Sequence, residues 1–567
     1  GWIQQQKALS PDKPFFAYFA PGATHAPHHV PKEWADKYKG KFDAGWDVLR
    51  EETFARQKKL GVIPADCELT ARPKDVPGWD DMPEAFKPVL RRQMEVYAGF
   101  LEFTDHHVGR LFEAIENLGI ADDTLVYYII GDNGASAEGS FNGCFNEMSY
   151  FNGLQSLETA EYLTERIDKL GGPESYNHFA VGWAHALNTP YQWTKQVASH
   201  FGGTRNGTIV HWPKGIQAKG ELRTHFAHVI DVAPTILEAA GIPEPVSVDG
   251  IQQDPIDGVS MLKTFNDAKA PEAHETQYFE VMGNRAIYHK GWTAVTKHYT
   301  PWIPNVKPAL DDDVWELYDT TTDWAQAKDL SKEMPDKLRD MQRLWIIEAT
   351  RNKVLPIDDR MFEKINPDTA GRPTLVKGKT QLLAGGMSHL GENCVLNIKN
   401  KSHSVTAAIV VPQGGAEGVI IAQGADIGGW SLYAKGGKLK YCYNWGGFKH
   451  FMIEGASVMA PGEHQVRMEF AYAGGGLGKG GKVTLYVDGQ KDGEGEVGAT
   501  LAMIFSADDG LDVGKDGGSA VSPDYKPGNN SFNGKVKGVQ LAIDEAAEDL
   551  DHLLDPADVI RMAMARQ

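Results

Sequence analysis

Cysteine is scarce in this chain: Cys67, Cys144, Cys394 and Cys442 are all that 567 residues contain. No two are spaced C-x-x-C, which excludes zinc ribbons and thioredoxin-like redox motifs, and only Cys394 with Cys442 could bridge within one domain. Long apolar runs are missing as well. None approaches the roughly 18 residues that a membrane span requires, so no membrane partner is expected. Positive charge is in deficit, with 57 Lys and Arg against 76 Asp and Glu and a formal net charge of -19. That balance opposes adhesion to nucleic acid or anionic lipid, and an acidic protein that binds an anion must supply local positive charge by a metal or a few placed cations. An initiator Met is also absent: GWIQQQKALSPDKPFF opens in a helix-like segment without a signal peptide, so something upstream is expected and the compartment stays open.

What is present reads as two domains. A prior of about 150 residues per domain would allow three or four, but large α/β cores run longer as one unit. Residues 1 to about 350 alternate short apolar strands with helical patterns, the grammar of an α/β sheet. PFFAYFA (14 to 20) and GTIVHW (207 to 212) read as strands. Val89, Met94, Tyr97, Leu101, Val108, Leu111 and Ile115 form the stripe of a long helix from 86 to 118, and VIDVAPTILEAAGI reads as a helix ended by Gly241. NRAIYHKGWTAVTKH and VWELYDT suggest antiparallel strands of a smaller sheet. After VLPIDDR (354 to 360) helical periodicity fades, and short alternating runs joined by Gly-rich or Asp-Gly turns, such as KVTLYVDGQ, argue for a β-sandwich. The sequence predicts one domain over 1–360, a linker over 361–371 and the sandwich over 372–567. AYAGGGLGKGGK (471 to 482) is expected to be a hairpin loop rather than a phosphate cradle, because no helix follows it.

LVYYIIGDNGASAEG (125 to 139) is the stretch that points to chemistry. Its apolar run, 125 to 130, predicts a strand hidden on both faces, as in parallel sheets covered by helices. Asp132, Asn133 and Gly134 stop it at its carboxyl end, where α/β sheets gather ligands; two oxygen donors suit a hard cation, and Gly allows a tight turn. A plain Asp-Asn-Gly turn is the competing explanation. His25, in GATHAPHH, and Lys195, in NTPYQWTKQVASHFGGTRNG, stand beyond or before other predicted strands. A cation on Asp132 and Asn133 would draw an anionic ester, Lys195 would neutralise a further oxygen, and His25 could protonate the departing alkoxide. Each alone is ordinary: His28 and His29 compete with His25, and Lys195 reads as a solvated lysine. His106 and His107 are assigned to packing and solvent, and Asp358 and Asp359 to capping or ion pairing at the domain exit.

Order and context change that weighing. PFFAYFAPGATHAPHHVPKEW, RQMEVYAGFLEFTDHHVGRLFEAIENLGIADDTLVYYIIGDNGASAEG, TKQVASHFGGTRNGTIVHWPKGI, HVIDVAPTILEAAGI and GNRAIYHKGW, in that order over residues 1 to 360, resemble the arylsulfatase family of the alkaline phosphatase superfamily. The resemblance implies an alkaline-phosphatase-like mixed sheet sandwiched by helices, a calcium ion, and a formylglycine made from a Cys or Ser in a C-x-P-S-R segment. It makes Asp132 and Asn133 two metal ligands, His25 a catalytic histidine beside the leaving group and Lys195 a catalytic lysine on the sulfate oxygens. None of the four cysteines begins C-x-P-x-R. The resemblance therefore places the formylglycine, two metal-binding Asp residues and a further Lys and His upstream of Gly1, in an N-terminal part missing here. The chain is then expected to be the carboxyl-terminal part of a larger sulfatase, with negligible turnover by itself.

The second domain resembles laminin-G or concanavalin-A-like jelly rolls through WSLYAKGGKLKYCYNW and KVTLYVDGQKDGEGEV, an all-β jelly-roll sandwich for which carbohydrate is one candidate partner and scaffolding the other. The function implied is hydrolysis of a small aryl or alkyl sulfate ester. A phosphate or phosphonate ester hydrolase on the same scaffold, and a non-catalytic glycan-binding protein, are the rivals.

Overall fold

The computed structural model describes residues 1–303 and 307–544. They divide into two compact units, one made of residues 1–143 and 178–359, the other of 144–177 with the chain from 360 onward.

In the first unit, helix α1 spans Trp2–Leu9, α2 Gly45–Leu60 and α3 Lys87–Asn117. Helix α3 opens with Pro88 in its first turn, where the missing N–H is no loss, and buries Val89, Leu90, Met94, Val96, Phe100, Val108 and Ile115. Leu101, expected on that stripe, is exposed instead. Gly99 lies where α3 crosses the chain at Trp34 and Ala35; a Cβ there would stand 2.6 Å from the Ala35 nitrogen. The core gathers Trp46, Trp79 and Trp183, with ring centroids 4.9 to 5.7 Å apart. Trp183 belongs to α4 (Val181–Leu187), and its neighbour Gly182 lets the Trp46 ring sit on the helix backbone, 2.3 Å from where a Cβ would be. Two of the three indoles find a backbone acceptor: Trp46 Nε1 donates to the Pro77 carbonyl at 3.0 Å, and Trp183 Nε1 to that of Leu90 at 2.9 Å.

Strand β1 (Val126–Ile129) pairs antiparallel with β2 (Thr208–His211) in a two-stranded ladder. The strand expected to be hidden on both faces is therefore half-buried, and Ile130 is 59% exposed: among the described residues no further strand joins the pair, and its cover is Phe112 of α3 against Tyr128 and Phe265 against Tyr127. Residues 14–20 take no strand partner among the described residues and lie exposed, Tyr18 by 85%. Their β propensity has no ladder to join. Helix α5 (Val232–Ala240) ends as expected on Gly241 at φ 66, a left-handed cap. Strands β3 (Thr276–Val281), β4 (Asn284–His289), β5 (Trp292–Thr296) and β6 (Glu316–Asp319) form an antiparallel meander in chain order, with α6 (Pro335–Arg351) packing Met341 and Trp345 against Ile287 and Leu317. Asp359 pairs with Lys307 at 2.8 Å and His298 at 3.3 Å, the ion pairing expected of it.

The second unit is all-β apart from short helical turns. Its strands are β7 (Thr380–Ala384), β8 (His403–Val411), β9 (Gly418–Ala425), β10 (Gly428–Lys435), β11 (Lys438–Trp445), β12 (Lys449–Val458), β13 (Gly462–Tyr472), β14 (Lys479–Val487), β15 (Gln490–Ala499), β16 (Leu511–Val513) and β17 (Lys535–Ile543). One sheet runs β15-β14-β13-β8-β17-β7, the other β12-β11-β10-β9-β16, all pairs antiparallel. Alternation builds the core: Val405, Ala407, Ile409 and Val411 of β8 meet Trp430, Leu432, Tyr441 and Tyr443 of the facing sheet. The glycine tract is the connection between β13 and β14, as expected of a hairpin. Segment 144–177 joins this unit through Asn146, whose Nδ2 donates to the carbonyls of Ile427 at 3.0 Å and Gly446 at 3.1 Å. None of the four cysteines is in a disulfide, Cys442 being buried and Cys394 exposed, so the bridge considered from their positions does not form.

Candidate active site

Two loops and one imidazole make the site in the first unit. The first loop follows β1 and carries Asp132, Asn133 and Glu138; the second, 188–203, carries Lys195. They are zipped together by backbone bonds from Gly134 N to Gly203 O (3.1 Å) and from Lys195 N to Ala135 O (3.0 Å). Asn188 adds a side-chain stitch, its Oδ1 accepting from Ala135 N at 2.9 Å while its Nδ2 donates to the Trp193 carbonyl at 3.2 Å. Gly134 serves this closeness rather than a turn: a Cβ would fall 1.7 Å from the Gly202 carbonyl oxygen, so no side chain fits.

Arg50 fixes the base of the second loop. Only 4% exposed, it donates to the carbonyls of His185, Thr70, Pro190 and Tyr191 and to the Thr70 hydroxyl, at 2.7 to 3.3 Å. Burial draws its pKa down to about 10, which leaves the guanidinium charged at neutral pH.

His25 and His28 separate cleanly. His28 is buried at 1% exposure among Tyr97, Phe179 and His178, with centroids 4.9 to 5.0 Å away, and burial followed by the His178 neighbour pulls its pKa well below the usual imidazole value. It anchors the loop as a neutral ring. His25 faces outward, its Nδ1 2.9 Å from the Ala26 carbonyl and its Nε2 3.0 Å from Lys195 Nζ. A carbonyl can only accept, so Nδ1 carries the proton and Nε2 accepts from the ammonium. Lys195 Nζ also donates to Glu138 Oε2 at 3.0 Å. Glu138, 8% exposed, accepts further bonds from Ser136 Oγ at 2.7 Å and Gln196 Nε2 at 3.3 Å. Burial pushes its carboxyl up, but the Lys195 ammonium and the Ser136 hydroxyl outweigh that and hold it below the usual carboxylate range.

Asp132 is exposed and Asn133 half-buried, and neither side chain takes a hydrogen-bond or ion-pair partner among the described residues. The structure thus brings His25 into contact with Lys195 and sets Asp132 and Asn133 in the loop zipped to Lys195. His107 meets Phe103 edge-on at 4.4 Å between centroids and the exposed His106 lies tilted against Trp34 at 5.4 Å, the packing and solvent roles expected for them. Sequence reasoning missed Glu138, Arg50 and Asn188. Glu138 had a signal: a lone acid among small residues, six positions beyond Asp132.

Residues 2–242 match the family model described as sulfatase. The chain carries a sulfatase domain. Residues 195–344, from Lys195 into α6, match the model described as N-sulphoglucosamine sulphohydrolase, C-terminal. The chain is similar to an uncharacterized sulfatase of Schizosaccharomyces pombe, 31% identical over 370 residues that cover 64% of this chain and 63% of that protein. It is also similar to an arylsulfatase of Klebsiella aerogenes, 28% identical over 282 residues, 50% of this chain and 56% of the other. The chain thus spans less than two thirds of the length of these curated relatives. Among solved structures, Ps i-CgsB is similar at 20% identity and a TM-score of 0.38, covering 65% of this chain and 58% of that one. The sulfatase domain holds all four residues singled out from the sequence, His25, Asp132, Asn133 and Lys195. Among the described residues, no helix is long and apolar enough to cross a membrane.

Proposed function

We propose that the protein is a sulfuric ester hydrolase that cleaves aryl or alkyl sulfate esters. The observation that carries this reading is the pairing of Lys195 Nζ with His25 Nε2 at 3.0 Å, inside a domain that matches sulfatases. An ammonium beside an imidazole of fixed tautomer offers a sulfate ester a donor for its anionic oxygens and a proton path to the oxygen that leaves.

The residues divide that work. Two of the three Lys195 N–H bonds go to His25 and Glu138, and the third is available to a sulfate oxygen. As the ester bond from sulfur to oxygen breaks, Lys195 Nζ passes a proton to His25 Nε2 along the bond they already share, and the imidazolium so formed gives it to the departing oxygen, leaving Lys195 a neutral amine until solvent reprotonates it. Asp132 and Asn133 offer a carboxylate and an amide oxygen, hard donors without protein partners among the described residues, and so fit part of the six to eight oxygens that calcium takes. Bound there, calcium supplies positive charge for the sulfate oxygens. The nucleophile implied by the family resemblance is a formylglycine, and Cys67, Cys144, Cys394 and Cys442 all stand outside a C-x-P-S-R segment. This chain's residues therefore account for anion binding and proton delivery, not for attack on sulfur.

The test is turnover of p-nitrophenyl sulfate and p-nitrophenyl phosphate by the full-length protein with calcium present. Preference for the sulfate is expected. Hydrolysis of the phosphate without comparable sulfate turnover would overturn the reading.

A further inference from the structure

Glu138 is a buried carboxylate in the middle of the site, and neither anion binding nor proton delivery uses it directly. Building on the sulfate-ester reading, we propose that Glu138 is a positioning residue that acts through Lys195: it pins the ammonium where one N–H meets His25 Nε2 and another stays free for a substrate oxygen.

The carboxylate cannot swing. Ser136 Oγ and Lys195 Nζ share Oε2, at 2.7 and 3.0 Å, and Gln196 Nε2 holds Oε1 at 3.3 Å. The loop that delivers Lys195 is bent toward this acid at some cost. Trp193 and Gln196, on either side of Lys195, lie at φ 68 and φ 74, a left-handed region that bulky side chains rarely adopt. At Gln196 that conformation turns the amide to Glu138 and leaves the backbone carbonyl to Asn284 Nδ2 at 3.1 Å. Lys195 by contrast is a point charge on a flexible four-carbon stem, with nothing in its own chemistry to fix its direction. Burying a carboxylate is costly, and an apolar residue of the same volume would serve packing as well or better. What the acid adds is a fixed direction for the ammonium. Misdirecting that charge would weaken its grip on the transition state more than on the ground-state ester, so the loss should fall on kcat.

The experiment uses the full-length protein with E138A, E138Q, K195A and the E138A/K195A pair. E138A should lower kcat on an aryl sulfate on the order of 10²-fold while KM moves by less than about threefold, and E138Q should lose roughly tenfold. Because Glu138 acts through Lys195, the pair should be no slower than K195A within about twofold, whereas a merely structural role would multiply the two losses. Crystal structures should place Nζ within hydrogen-bond reach of His25 Nε2 in the wild type and beyond about 4 Å in E138A, or in E138Q should E138A not fold. An unmoved Nζ, or multiplied losses, overturns the proposal. If the wild type hydrolyses no sulfate ester, the parent reading falls, and the position of Nζ still decides the role of Glu138.

Discussion

Lys195 Nζ and His25 Nε2, 170 positions apart in the chain, stand 3.0 Å from each other, and the Ala26 carbonyl on Nδ1 makes the imidazole the acceptor. The leaving oxygen would therefore depend on His25 only as much as it needs a proton. His25→Ala should cost roughly 10²- to 10⁴-fold in kcat/KM on an alkyl sulfate and less than about tenfold on a nitrophenyl sulfate, whose phenolate leaves unaided. Equal losses on both esters would remove His25 from proton delivery.

Gly134 answers to packing. Gly134→Ala should destabilise by about 1–3 kcal/mol, since the new methyl meets the Gly202 backbone rather than a side chain that could turn away. Gly207→Ala is the control: its Cβ would meet only the Ile130 side chain at 3.5 Å, and a change within about 0.5 kcal/mol is expected. Urea midpoints compare the two.

Arg50 donates to four carbonyls, those of Thr70, His185, Pro190 and Tyr191. Arg50→Met should cost about 2–3 kcal/mol by chemical denaturation, because the Thr70 and Tyr191 carbonyls lose their guanidinium donor while that of Pro190 keeps Thr70 and that of His185 keeps Asn188 N. Arg50→Lys should recover little, as an ammonium cannot reproduce the fork. Recovery to wild-type stability by Lys would show that charge alone matters there.

His403 makes the sandwich acid-sensitive. It is 5% exposed, with Nδ1 3.1 Å from the Lys401 carbonyl and Nε2 without a hydrogen-bond partner, and burial lowers its pKa to about 4. Between about pH 6.5 and pH 4 the unfolded chain binds a proton at this ring and the folded one does not. Stability is then full above about 6.5 and falls as pH drops, by roughly 3 kcal/mol across the window. His403→Leu should flatten that part of the pH dependence, read as urea midpoints at pH 7 and 4.5 from the fluorescence of the sandwich tryptophans. The same slope in both proteins would assign the acid sensitivity elsewhere.

Local rules were legible where one element satisfies itself. The long helix Lys87–Asn117, the Gly241 cap and the alternating runs of the sandwich follow from periodicity and turn chemistry, which depend on near neighbours. Residues 14–20, read as a strand, form none, and the run from Leu125, read as hidden on both faces, is half-buried, for the opposite reason: whether and how deep a strand lies depends on partners that its own residues do not specify. In the site, His25, Lys195, Asp132 and Asn133 were picked out by residue type and context. Glu138 and Arg50 were not, because much of their meaning lies in distant groups, Lys195 for Glu138 and the carbonyls of His185, Pro190 and Tyr191 for Arg50, that only the folded loops bring near.

Residues 144–177 interrupt the sulfatase half of the chain yet help build the sandwich, where Asn152 Nδ2 donates to the Ile504 carbonyl at 2.9 Å and the Tyr176 hydroxyl to Asp508 at 2.7 Å. A cut near residue 360 would therefore excise a sandwich with bare carbonyls where Asn146 and Asn152 had been docked. Any attempt to study that lobe by itself must graft the 34-residue insert back onto it, and a deletion confined to residues 144–177 would damage the sandwich before the unit whose sequence it interrupts.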